Sequence, residues 1–385
     1  MSEARTIPFA RPWVEEGDRQ AVMAVLKGDV LTHGPQGKAL EEEFAAFLGG
    51  GAHCVSTSSG MAALHLSYWQ LGIGPGDEVL VAAQTHTATA HAVEVVGARP
   101  VFVDCDPATG NLTPEGLEAA LTPRTRAIGL VHFLGVPCDM EGIMDLARRR
   151  DLRVIEDCAL AVGSRFGGTH VGLYGDAGCF SFYPVKHLTT GDGGMFITHR
   201  AELAAQVHKA RGFGVDRTFA ERSVPGMYDV PTLGLNYRMS DINAALGRSQ
   251  LRRVGEVLAR RRRNFDHLSG LLAGLPGVST LGARDERGSN SHYCLCAVLE
   301  GDLAGRRDRV IAGLNRRGVG TSIYYPHPVP RLKYYRQKYG YAQGAFPGAE
   351  RISDQSISLP VGPHLGEEEV EYIGAVFAQV IREEQ

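Results

Sequence analysis

The chain has 385 residues, 44% hydrophobic and 22% charged, with a formal net charge of −3. That length exceeds what one hydrophobic core usually serves, so a large and a smaller domain are expected. The charge offers no electrostatic footing for nucleic acid or an anionic membrane surface, and no run is apolar enough to span a bilayer. Seven cysteines, an odd number without Cys-x-x-Cys pairing, read as buried thiols in a reducing compartment. With no signal-peptide core at the N-terminus, a cytoplasmic protein is predicted.

Residues 14–28 space Val14, Val22, Val25 and Leu26 as a helix stopping at Gly28. Residues 32–35 then make a turn before a helix carrying Leu40, Phe44 and Phe47. Between 53 and 200, β-rich runs at 53–56, 78–82, 100–103, 127–133 and 153–156 alternate with helices starting near Gly60, Ala88, Thr113 and Met140. Such alternation predicts a mostly parallel sheet covered on both faces, with ligands at the carboxyl ends of its strands. Two further runs, 179–183 and 195–198, flank a turn too short for a crossover helix and are predicted to pair antiparallel.

Beyond residue 200 the pattern predicts a helix over 201–211 and a polar connection over 212–231 long enough to be functional. One long helix, capped by Ser240, is predicted to run through Leu258 to Arg263. Strands near 291–299 and 320–325 and helices near 303–317 and 366–382 complete a smaller α+β domain. The division drawn is 1–250, with an N-terminal arm, and 251–385.

Three strand ends carry chemistry. The first runs into Ser56-Thr57-Ser58-Ser59-Gly60-Met61, where free backbone amides at a helix start form an anion pocket, or a plain helix cap. The second ends in Glu156-Asp157, a carboxylate able to meet a ribose hydroxyl, a protonated ring nitrogen or a helix terminus. Asp157 has no companions in sequence for a metal shell, and no metal is expected. The third turn holds Lys186 among Gly191, Gly193 and Gly194, which suggests a Schiff-base lysine. Aldehyde for the lysine, phosphate for the helix start and pyridine nitrogen for the acid together suit pyridoxal 5′-phosphate.

Over nearly its whole length the chain resembles the DegT/DnrJ/EryC1/StrS family of pyridoxal-phosphate sugar aminotransferases. The resemblance rests on Ser59 to Leu66, Leu71 to Val79, Val101 to Asp104, Ile155 to Asp157, Phe180 to Lys186, Gly191 to Gly194 and Asn236 to Met239. It implies the fold-type I, aspartate-aminotransferase-like architecture: a mostly parallel central sheet in a large domain plus a smaller α+β C-terminal domain.

By the same resemblance, Lys186 would bond to the cofactor and move protons, and Asp157 would hold the pyridine nitrogen. Ser59, Gly60, Met61 and Ser181 would bind phosphate, and His86 would stack on the ring. Asn236 would reach the phosphate in the neighbouring subunit of a homodimer, and residues 32–35 would enter that site too. Tyr183, Arg238 and His327 are implied as substrate contacts. The implied reaction carries an amino group from L-glutamate to a keto sugar, most simply a nucleotide-linked 3- or 4-keto-deoxyhexose. Alternatives are a non-nucleotide keto sugar, a cyclitol or sugar dehydration, the last belonging to a branch with histidine where Lys186 stands. The chain departs from the family pattern at Met61, commonly Thr, and at Leu160, commonly Gln or His near the cofactor's phenolic oxygen.

Overall fold

A computed structural model describes residues 5–49, 51–217, 223–224, 226–282 and 285–385. Residues 218–222 and 225, within the predicted 212–231 connection, lie outside the described residues. The chain opens with helices α1 (Glu16–Leu26) and α2 (Pro35–Leu48), then alternates β1 (His53–Thr57), α3 (Gly60–Gln70), β2 (Glu78–Ala82), α4 (Thr87–Val95) and β3 (Arg99–Val103). It continues through α5 (Pro114–Ala119), β4 (Thr125–Val131), α6 (Met140–Arg150) and β5 (Arg153–Asp157). Two short strands, β6 (Arg165–Phe166) and β7 (Thr169–His170), precede β8 (Ala177–Ser181), β9 (Gly194–Thr198) and α7 (Ala201–Ala210).

These strands build a seven-stranded sheet in the order β1-β9-β8-β5-β4-β2-β3. The pairs β2–β3, β2–β4, β4–β5 and β5–β8 are parallel, while β9 runs antiparallel to both its neighbours. Every residue of β2 and β9 is buried, as a sheet covered on both faces requires. Because β9 reverses direction, its first residue, Gly194, lies at the same sheet edge as the last residue of β8, Ser181, its register partner.

The second half comprises α8 (Asp241–Leu251), α9 (Val254–Leu272), β10 (Val278–Thr280), β11 (Gly288–Ser289), β12 (Leu295–Leu299), α10 (Arg307–Arg316), α11 (Lys333–Tyr339), α12 (Pro347–Gln355), β13 (Ser356–Leu359) and α13 (Glu367–Glu384). An antiparallel sheet β10-β12-β13 packs on α9, α10 and α13 around Leu268, Val310, Ile357 and Phe377. Ile7 joins that core, bridging in parallel to Val319. A third sheet, β11-β6-β7, ties residues 288–289 back to the connection between β5 and β8.

Several expectations need correction. The single helix predicted from Ser240 to Arg263 is two, broken at Arg252 and Arg253. At the break Arg253 leaves helical geometry, and its guanidinium meets the buried Asp18 carboxylate and the Trp13 carbonyl. The run 320–325 is not a strand: only Ser322 bridges, to Ser358, and Pro326 and Pro328 beyond it supply no ladder donors. The 127–133 strand is shifted to Thr125–Val131, with Phe133–Gly135 forming a 3-10 turn, and the 303–317 helix begins with a 3-10 segment, Gly301–Arg306. The 291–299 run is strand only over Leu295–Leu299. Strands β6, β7, β10, β11 and β13 and helices α11 and α12 were not legible in the periodicity.

Candidate active site

The carboxyl ends of β1, β2, β5 and β8 converge on one edge of the large sheet, where the sequence placed its chemistry. After β1, Ser59 caps α3 by accepting the Ala62 amide at 3.1 Å, which leaves its hydroxyl proton free to donate elsewhere. Gly60 lies so close to β8 that a Cβ would sit 2.9 Å from the Ser181 Cβ. A Cβ on Gly194 would sit 2.5 Å from the Ser59 carbonyl carbon and 2.6 Å from the Gly60 nitrogen. These contacts press the start of α3, with its backbone amides and the Ser59 hydroxyl, against Ser181 and Gly194. Met61 follows as a partly buried residue of the first helical turn.

Asp157 ends β5 and is 4% exposed. Its Oδ2 accepts the Thr89 hydroxyl at 2.7 Å and its Oδ1 the Ala159 amide at 3.0 Å. Thr89 is in turn 2.8 Å from the Thr85 hydroxyl, one helical turn earlier. Strand alternation sends Glu156 to the opposite face. There its oxygens take the amides of Gly172, Tyr174 and Gly175 and meet His132 Nε2 at 3.0 Å. Ligand atoms of His132, Glu156 and Cys158 lie within 4.8 Å of one another. Since Glu156 is already satisfied by three amides and a histidine, that trio acts as a structural knot.

Lys186 follows β8 in the turn, its Nζ 5.4 Å from the centre of the Tyr293 ring. Burial lowers its pKa to about 8, with Asp157 pulling the other way. His86 caps α4, accepting the Ala88 amide at Nδ1, and its ring meets Tyr325 edge-on at 5.5 Å. Burial lowers its pKa, Asp157 raises it and Lys186 lowers it again, which puts His86 within electrostatic reach of both. His86 thus carries out the ordinary capping function and also faces the site.

Other predicted residues border this group through backbone contacts or are exposed, and Tyr183 is tied to it by its carbonyl, which accepts the Lys186 amide at 2.9 Å. Tyr183 is 51% exposed and His327 is exposed. The Arg238 guanidinium lies 4.9 Å over Phe213, with its buried Nε lacking a protein acceptor among the described residues. Asn236 is exposed and bridged through its backbone to Gly212, while the next residue's carbonyl accepts the Ser58 amide at 2.7 Å. Its segment is therefore pinned beside the phosphate-type loop of its own chain. Leu160 is buried, and only its carbonyl takes part in bonding, from Ser291 Oγ at 2.8 Å.

Sequence reasoning missed Thr85, Thr89 and Tyr293. The two threonines carried a signal, hydroxyls four residues apart just past a strand end. The Tyr293 and Tyr324 hydroxyls, 2.8 Å apart, come from distant segments with no shared pattern.

The sequence profile of the DegT/DnrJ/EryC1/StrS aminotransferase family matches residues 12–378. The chain belongs to that family. Among the relatives of this aminotransferase is the UDP-N-acetyl-3-dehydro-alpha-D-glucosamine 3-aminotransferase of Acidithiobacillus ferrooxidans. It is 39% identical over 381 residues, covering 94% of this chain and 97% of the relative. The crystal structure of the aminotransferase TlmJ from Streptoalloteichus hindustanus superposes with a TM-score of 0.90 at 32% identity, covering 98% of this chain and 100% of TlmJ. The PLP form of Spr1654 from Streptococcus pneumoniae, titled a sugar aminotransferase, does so with a TM-score of 0.91 at 29% identity, covering 99% and 100%. The fold is thus that of the fold-type I PLP-dependent transferases, and the family's cofactor is pyridoxal 5′-phosphate.

The residues present fit that cofactor. Gly60 and Gly194 let the start of α3, with its free amides, pack against Ser181, Asp157 offers a buried acceptor for a protonated ring nitrogen, and Lys186 offers an amine of lowered basicity.

Proposed function

We propose that this aminotransferase moves an amino group from L-glutamate to a keto sugar carried on a nucleotide, in amino-sugar biosynthesis. The observation that carries the reading is the convergence of Lys186, Asp157 and the α3 start on one sheet edge. The 39% identical relative, named for a UDP-linked 3-keto sugar, favours the 3-keto position over the 4-keto.

Bound pyridoxal phosphate would supply an electron sink for the carbanion formed at the substrate carbon. The α3 amides of Gly60 and Met61, with Ser59 and Ser181, bind its phosphate. Asp157, oriented by Thr89 and the Ala159 amide, would hold the proton on the ring nitrogen, and His86 would pack against the ring. Lys186 would take and return the proton at the reacting carbon. A pKa near 8 leaves it neutral often enough to accept a proton and acidic enough to return one.

Dehydration is disfavoured because the neighbouring His187 does not substitute for Lys186. It is buried, with Nε2 3.1 Å from the Ser291 carbonyl.

The active unit is proposed to be a homodimer in which residues 32–35 and Asn236 enter the partner's site, with Tyr183, Arg238 and His327 contacting substrate. Support comes from exposed Met23, Leu26, Val30, Leu31 and Leu233, apolar side chains close in sequence to those segments. Asp241 accepts the Gly34 and Gln36 amides and so holds the first of these loops in shape. The division of the chain is proposed to fall after residue 250, at the last turn of α8, just before the break into α9. A cytoplasmic setting is supported by seven free cysteines.

The test is to convert the protein to its pyridoxamine form with glutamate, then screen nucleotide-linked keto sugars by mass spectrometry. Amination of a 3-keto sugar is expected; a protein that stays colourless with added pyridoxal phosphate would overturn the reading.

A further inference from the structure

Arg261 sits midway along α9 and is 5% exposed. Its neighbours in sequence find acids on their own helix, Arg260 with Glu256 and Arg262 with Asp266. Arg261 points inward instead. Its Nη1 donates to the Tyr293 carbonyl at 2.8 Å, and its Nε is buried without an acceptor among the described residues. The groups that act on its charge are neutral at physiological pH, namely Tyr293, Cys294 and Tyr324, and no described carboxylate pairs with it. A buried guanidinium without a counter-charge is costly.

Arg261 faces a small cavity closed by Phe9, Arg11, Val185, Tyr293 and His364, of about 10 Å³. That is room for one water-sized or halide-sized occupant. His364 donates from Nε2 to the Pro8 carbonyl at 3.1 Å, so its buried Nδ1 is an acceptor, with no donor among the described residues. The nearest acid acting on His364, Glu369, is engaged by Arg5 at 2.7 Å and by the Gly366 amide. Arg11 and Arg261 are therefore the charged groups at a cavity whose lining contains no acid.

We propose that this cavity binds a small monovalent anion, a halide or a single compact carboxylate, with Arg261 as its buried counter-charge. The site is separate from the α3 start and adjoins the lysine turn. Val185 immediately precedes Lys186, and the Tyr293 ring has Lys186 Nζ at 5.4 Å and Arg261 Cζ at 5.8 Å from its centre. An anion there balances the charge behind Tyr293 and holds the Val185 turn in place.

The experiment uses full-length holoenzyme at constant ionic strength, melted in sodium chloride, sodium formate or sodium gluconate. Chloride or formate at about ten times its dissociation constant should raise Tm by about 2 °C over gluconate, whose bulk the cavity excludes. A response to chloride alone assigns a halide site, and a response to formate as well assigns a general small-anion site. Arg261→Met should abolish the response. If it does not fold, Arg261→Lys keeps the charge without the planar fork and should raise the chloride midpoint about fivefold. A crystal soaked in bromide should show an anomalous peak against the Arg261 guanidinium. Equal melting in all three salts, an unshifted midpoint in Arg261→Lys, or a water or second-copy carboxylate in place of bromide would each overturn the proposal.

Discussion

The Thr89 hydroxyl donates to Asp157 Oδ2 at 2.7 Å from inside α4, and both side chains are buried. A helix packed over β2 thereby aims an acid at the end of β5. Thr89→Val keeps the shape and removes the donor, leaving a buried carboxylate oxygen unsatisfied. A loss of about 1.5–3 kcal/mol is expected in urea unfolding, with weaker retention of pyridoxal phosphate on dialysis. Thr89→Ser should restore both. Full cofactor retention in the valine variant would refute the orienting role.

Lys186 titrates near pH 8 in the folded protein against an ordinary 10.5. The unfolded chain therefore holds more protons between those values, so stability of the cofactor-free protein should rise with pH across that window. The full penalty stands below about pH 8. Capture of added pyridoxal phosphate needs the neutral amine, so its rate should climb through an apparent pKa near 8 and level off above it. Stopped-flow absorbance from pH 6 to 10 checks this, and a rate still climbing at pH 10 would contradict it. Lys186→Ala should abolish turnover and leave nothing for borohydride to trap.

Gly60 and Gly194 are expected to differ in how they fail. At Gly60 an added methyl meets a side-chain atom of Ser181 first, whereas at Gly194 it meets the backbone of Ser59 and Gly60. Gly194→Ala should therefore destabilise more, by about 2–3 kcal/mol, and Gly60→Ala by about 1–2 kcal/mol. Both should weaken phosphate binding, read as the pyridoxal phosphate dissociation constant. Equal stability of the two variants would argue against the close approach.

Asp18 is 1% exposed and takes the Arg253 guanidinium, the Gln250 amide at 2.8 Å and the backbone amide of Glu15. Asp18→Ala leaves Arg253 only its Trp13 carbonyl and its pair with Glu15, and should cost about 1.5–3 kcal/mol in chemical denaturation. Replacing Arg253 by methionine in the same chain should recover part of that loss.

Much of the site was legible because it lies at strand ends, where chain direction and turn chemistry are local properties. The Ser59-Gly60 helix start, Asp157 after an apolar run and Lys186 between two antiparallel strands each follow from neighbours within a few residues. Which of Glu156 and Asp157 faces the site follows from the face each side chain takes on β5, set by packing on distant β4 and β8. The pairing of Arg253 at the helix break was invisible for the same reason: its partner Asp18 is 235 residues away in sequence. By itself the sequence determined the alternating layers, the lysine turn and the helix caps, since periodicity and hydrogen bonding act over short spans. Only the tertiary structure decided that Thr89 aims Asp157, that Tyr293 lies against Lys186 and that Arg261 is buried without an acid. Such contacts depend on where separate segments are packed, which no local pattern encodes.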